Sequence, residues 1–214
     1  MKYESMKCVV TTLLLLISTL NVLASRQADG DGVAAIKTKT GYLIVWNQPD
    51  IHFTLGVNGK DVRPMNRPAS GSVPFNVDGV VFQVQSVAIS EFLKNAKKQK
   101  LSDQAILMAH RDWESQYIEQ TLGKKLNVTS VPQPLSNGSQ ALLWKFAMPK
   151  NKAQQQVYLT MVSSNHFIIL NGTEETGKVP VPESIVQRLL ADTLSTFKAS
   201  SRPIDVLKLR ETIR

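Results

Sequence analysis

The chain has 214 residues, 43% apolar and 20% charged, with a formal charge of +8 and one cysteine. That apolar content excludes an unfolded chain, and the single cysteine excludes a disulfide scaffold or a cysteine-rich zinc module. Neither these totals nor the spread of charge suits a protein with many membrane spans.

The first residues carry the most specific signal. Lys2 and Lys7 precede an apolar run of residues 8–23 centred on Leu13, Leu14, Leu15, Leu16 and Ile17. Val22, Leu23 and Ala24 close it before Ser25, and the polar residues Arg26, Gln27, Asp29 and Asp31 follow. Basic start, apolar centre and small-residue exit form the layout of a secretory signal peptide, here residues 1–24. An uncleaved anchor is the alternative, but the run is short and holds Thr11, Thr12, Ser18, Thr19 and Asn21. A spanning helix needs roughly 20 apolar residues, so no transmembrane span is expected after cleavage. Cleavage removes Lys2, Lys7 and Glu4, lowering the formal charge by one to +7, and removes Cys8. A thiol nucleophile and an iron–sulfur cluster are thereby excluded from the mature chain. The expected location is periplasmic or secreted. Asn127, Asn137 and Asn171 each head a glycosylation sequon, and the last two also read as Asn-Gly turns.

Residues 25–40 read as a flexible leader. An α+β domain is expected over 41–199, and a basic tail with some helical character over 200–214. Residues 42–46 form an apolar strand ended by Asn47, Pro49 and Asp50. Asn58-Gly59 and Asp78-Gly79 each lie between strand-like runs, which predicts two tight hairpins. After the second, Val80, Phe82 and Val84 alternate with Val81, Gln83 and Gln85. A short helix or loop is expected over 91–100.

A central helix is well marked. Ser102 is a good cap, Asp103 suits the first turn, and Gly123 marks the stop. Ile106, His110, Trp113 and Tyr117 fall at helical spacing and predict its buried stripe. Strands are expected over 140–148, 156–162 and 166–170, the last two joined across Ser164 and Asn165. Pro180 and Pro182 introduce a closing amphipathic helix with the stripe Ile185, Leu189, Leu190, Thr193, Leu194 and Phe197. Runs of strands followed by helices predict a single α+β domain. Its antiparallel sheet is packed with a central and a C-terminal amphipathic helix.

Chemistry is sparsely marked. His110-Arg111-Asp112 matches a kinase tripeptide, but it lies inside a helix, Tyr stands at 117 where Asn is required, and no phosphate loop accompanies it. His110 and Glu114, one turn apart, are candidate binding residues, or base and orienter of an envelope hydrolase; a hydrolase working through paired carboxylates without His110 is a further alternative. Two such groups do not make a metal site, and no metal or cofactor is expected. Gly-x-Ser-x-Gly is absent, and Asp29 and Asp31 lack the remaining ligands of a calcium loop. Asp112, Glu114 and Glu119 read most simply as the solvated side of the helix. Lys94, Lys97 and Lys98, with Lys100, form a basic cluster, and Lys145, Lys150 and Lys152 another. For an exported chain these suit anionic lipid, polysaccharide or an envelope protein rather than nucleic acid.

The helix from Ser102, the run of residues 142–146, the hairpin of 157–170 and the closing helix from Pro182 together resemble the PsbP-like α/β sandwich, including DcrB-type proteins of the bacterial envelope. That resemblance implies a small non-enzymatic accessory or assembly factor and supplies no catalytic residues. A secreted factor acting on other cells is a further alternative.

Overall fold

The computed structural model describes residues 32–65, 72–92, 101–149, 151–175 and 180–213. The signal segment therefore lies outside the described residues. Strands β1 (Val33–Lys37), β2 (Gly41–Gln48) and β3 (Ile51–Asn58) run antiparallel in that order, and β11 (Lys198–Ser200) pairs on the far side of β3. Seven others make a second antiparallel sheet: β4 (Val62–Pro64), β5 (Val73–Val77), β6 (Val80–Ala88), β10 (His166–Glu174), β9 (Asn151–Ser163), β8 (Gln140–Met148) and β7 (Thr129–Pro134), in that spatial order. Helices α1 (Ile89–Phe92), α2 (Asp103–Leu122), α3 (Glu183–Ser195) and α4 (Val206–Ile213) complete a single α+β domain.

Where one sheet was expected there are two, and they share a core. Ile44, Trp46, Phe53 and Leu55 of the first meet Phe75, Phe82, Leu159 and Leu170 of the second. Val186, Leu190 and Leu194 of α3 join them; Leu190 and Leu194 belong to the expected stripe, whereas Val186 lies outside it and Ile185 and Leu189 are only partly buried. Helix α2 covers the other face of the second sheet, over Trp144, Phe146, Tyr158 and Phe167. Helix α4 covers the outer face of the first, with Val206 and Leu209 against Ile36 and Val45. Residues 33–37, expected in a flexible leader, are instead an edge strand. Val33, Ala34 and Ile36 are buried because both faces of the first sheet are covered. The expected tail likewise includes a docked helix.

Asp78-Gly79 forms the hairpin its composition predicts, with φ of 53° and 86°, the two left-handed residues of a type I′ turn. Ser164 and Asn165, at 48° and 61°, turn β9 into β10 in the same way. Asn58-Gly59 does not form a hairpin: β3 and β4 belong to different sheets, and the chain crosses between them here. At the crossing the Asp78 carboxylate accepts from the Asp61 N–H at 2.8 Å and the Lys60 N–H at 3.2 Å. Asn171-Gly172 is no turn either, because both residues lie within β10. Asn171 is buried there, whereas the sequon residues Asn127 and Asn137 are exposed.

Candidate functional site

Helix α2 begins and ends where its sequence says. The Ser102 hydroxyl accepts from the Ala105 N–H at 3.3 Å, and Gly123 takes the left-handed C-cap at φ 63°. Its buried residues are Leu107, His110 and Ile118, and Glu114 completes this row at helical spacing. The predicted stripe of Ile106, His110, Trp113 and Tyr117 is thus rotated. Trp113 is 39% exposed and stacks on Tyr117, with centroids 6.1 Å apart and ring planes at 18°. Only His110 belongs to both rows.

His110 is 3% exposed, and its ring centroid lies 4.2 Å from that of Phe167 on β10. Removing an imidazole from water disfavours its cation, and burial lowers the His110 pKa from 6.5 to about 4. Glu114 sits one turn further along, partly buried, and forms no hydrogen bond to any described residue. Burial acts on an acid in the opposite sense and raises its pKa from 4.5 to about 7. Tyr158 of β9 lies beneath, stacked on Trp144 at 3.8 Å with planes 10° apart. Burial, and then the charge of Glu114, raise its phenol well above the ordinary value. The solvated role expected for Glu114 is therefore corrected: its carboxyl belongs to the helix–sheet interface. Tyr158 was missed because its alternating strand carries no mark of the helix it meets.

Glu119 is held instead at the C-terminal end of the helix. Its carboxylate accepts from the Leu126 N–H at 2.9 Å and from Lys125 at 2.7 Å, and these bonds hold its pKa below the usual value. It borders a shallow depression of about 470 Å3 with Gln116, Gln120, Gly123, Lys124 and Lys125. His110 and Glu114 are not in its lining. Among the described residues, no three His, Cys, Asp or Glu side chains gather closely enough to hold a metal ion. None of the helices there is long and apolar enough to cross a membrane.

Lys94, Lys97 and Lys98 lie outside the described residues, as do Lys100 and Lys150. Lys145 turns to the face opposite α2 and pairs with Glu183 at the start of α3, where Gln187 also donates to Glu183. Nothing therefore brings the lysines and His110 into one site among the described residues. His166 is buried and bonds to Asp50, two residues before His52 in sequence.

Fold and site together define a two-sheet α+β sandwich with a buried base and a partly buried acid under one helix. No family model matches the chain, and no curated protein matches it. Among solved structures it is similar to cyanobacterial PsbP (CyanoP) from Synechocystis, at 10% identity and a TM-score of 0.47, over 83% of this chain and 99% of that one. A protein from Bacteroides thetaiotaomicron is similar at 10% identity and a TM-score of 0.43. That match covers 73% of this chain and spans about half of the other, 52%. The resemblance to PsbP is a weak one of topology.

Proposed function

We propose that this chain is an exported, non-enzymatic binding or accessory protein of the periplasm or the exterior. The observation that carries the reading is the placement of His110. Hydrolysis by a His–carboxylate pair needs both groups to reach a substrate in a concave site. His110 instead lies against Phe167 at 4.2 Å, inside the interface of a helix and a sheet. The arrangement supports a structural use of the most reactive side chains and leaves recognition to the surface. Residues 1–24 support export, and the basic balance of the remainder supports an anionic envelope partner.

The test is expression with the native N-terminus in a bacterial host, followed by fractionation and intact-mass measurement. A periplasmic or secreted product beginning at Ser25 supports export, while a cytoplasmic product that keeps Met1 sinks it. The processed protein is then titrated with vesicles of anionic phospholipid and with acidic polysaccharide at rising salt. Binding that weakens steeply with salt supports an anionic partner; salt-insensitive binding, or none to either, overturns that part. Hydrolysis of ester, peptide or glycoside substrates that is lost in His110→Gln overturns the non-enzymatic reading.

A further inference from the structure

The docking face of α2 contains one buried base and one partly buried acid, separated by a single turn and set among apolar side chains. Leu107 and Ile118 flank them on the helix, and Trp144 and Phe146 of β8, Tyr158 of β9 and Phe167 of β10 lie opposite. The titratable and charged groups around Glu114 can be named element by element. On α2 itself they are His110 and Arg111, whose guanidinium turns to Ser130 of β7 and to Asp112. From β9 comes Tyr158, while Lys145 of β8 points to the opposite face. β10 presents Phe167, and α1 contributes Ile89 to the same cluster. No described cation on the sheet faces Glu114.

We propose that His110 and Glu114 form an opposed pair that keeps α2 docked on the second sheet with nearly constant strength from mildly acidic to neutral surroundings. A base enclosed in an apolar interface makes docking sensitive to acid, because opening the interface lets it take a proton. An enclosed acid makes docking sensitive to alkali, because opening lets it lose one. Alone, either would make docking pH-dependent. With both on one face, the proton gained on opening by the imidazole is matched by the proton lost by the carboxyl. The directions of the two displacements support this, since burial lowers the one, from 6.5 to about 4, and raises the other, from 4.5 to about 7. Between pH 4.5 and 6.5 the open form carries both charges and the closed form carries neither. For a chain outside the cytoplasm, where pH is less controlled, such a pair preserves the fold without a disulfide.

Amide hydrogen exchange along α2 tests this in the purified full chain and in two single variants, Glu114→Gln and His110→Phe. Rates are corrected for intrinsic exchange and converted to opening constants at pH 5.5 and pH 7. The wild-type constant is expected to change by no more than about twofold. In Glu114→Gln the histidine acts alone, and opening falls about tenfold from pH 5.5 to pH 7. In His110→Phe the carboxyl acts alone, and opening rises about tenfold over the same interval. Flat profiles in both variants, or slopes of one sign, overturn the proposal. So does a tenfold slope in the wild type. Should His110→Phe fail to fold, the wild-type imidazole resonances replace it. A ring still neutral at pH 5.5 upholds the proposal, and one titrating near pH 6.5 overturns it.

Discussion

Asp50 and His166, 116 residues apart, join the turn between β2 and β3 to the turn between β9 and β10. The His166 Nε2 lies 3.1 Å from Asp50 Oδ2, and its Nδ1 lies 2.9 Å from the Ser164 carbonyl oxygen. Among the described residues this contact is one of the polar side-chain links between the two sheets, and it ties one turn to the other. Asp50→Ala is expected to lower stability by about 1 kcal/mol, because Asp50 is exposed and its gain is moderated by water. A double-mutant cycle with His166→Gln, read from urea midpoints, checks the coupling. Additive losses would show that the contact holds nothing.

A single carboxamide ties the segment that enters the C-terminal helix to β2. Asn47 donates from Nδ2 to the Ile204 carbonyl at 2.8 Å, and its Oδ1 accepts from the Ile204 N–H at 2.9 Å. This pair of bonds positions Val206 and Leu209 over Ile36 and Val45. Helix α4 has no fully buried residue, and its Leu207 is 71% exposed, so apolar burial holds it weakly. Asn47→Ala removes two net hydrogen bonds, about 2 kcal/mol together. The expected outcome is selective release of 204–213, seen as faster proteolysis there while exchange in β9 and β10 is unchanged. Global unfolding without selective release would contradict it.

Gly59 is needed for close approach. A Cβ built there would meet Val77 Cγ1 at 2.5 Å and Asp78 Oδ2 at 3.0 Å, at the point where the chain passes between sheets. Gly59→Ala is expected to destabilise by roughly 1–3 kcal/mol through this crowding. Gly138→Ala serves as comparison: it carries the cost of its φ of 84° but meets nothing within 4 Å. Thermal unfolding of the two variants separates crowding from backbone preference. Equal losses would mean that Val77 moves aside.

What could be read in the sequence was local. The limits of α2 were legible because Ser102 and Gly123 act on their own neighbours, and the Asp78-Gly79 turn because both φ values are intrinsic to it. Asn58-Gly59 misled because the bonds that hold the next residues come from Asp78, in the distant turn between β5 and β6. Strands β7 and β11 were silent: Pro132 and Pro134 suit only an edge, and Lys198 to Ser200 shows no apolar alternation. That strands divide between two sheets depends on long-range pairing, which alternation does not encode. His110 was identifiable as a helix residue packed near aromatic rings. Glu114 was not, because a carboxylate within an apolar row looks the same as one on a solvated face until the row is rotated onto the sheet.

Glu114 also sets the dependence of global stability on alkali. Below pH 4.5 the carboxyl is protonated in both the folded and the open chain, and burial adds no electrostatic penalty. Between 4.5 and about 7 the open chain releases the proton while the folded chain retains it, so stability attributable to this group falls as pH rises. Above about 7 both states are ionised and the whole penalty is present, at most about 3 kcal/mol for a displacement of this size. Replacing the carboxyl with an apolar group of similar length removes the penalty and fills the same space beside Tyr158. Glu114→Met is therefore expected to raise the urea midpoint most at pH 8, with a gain that shrinks toward pH 4.5. A gain independent of pH would assign the effect to packing, and a loss at pH 8 would show that the ionised carboxylate has a partner in the fold.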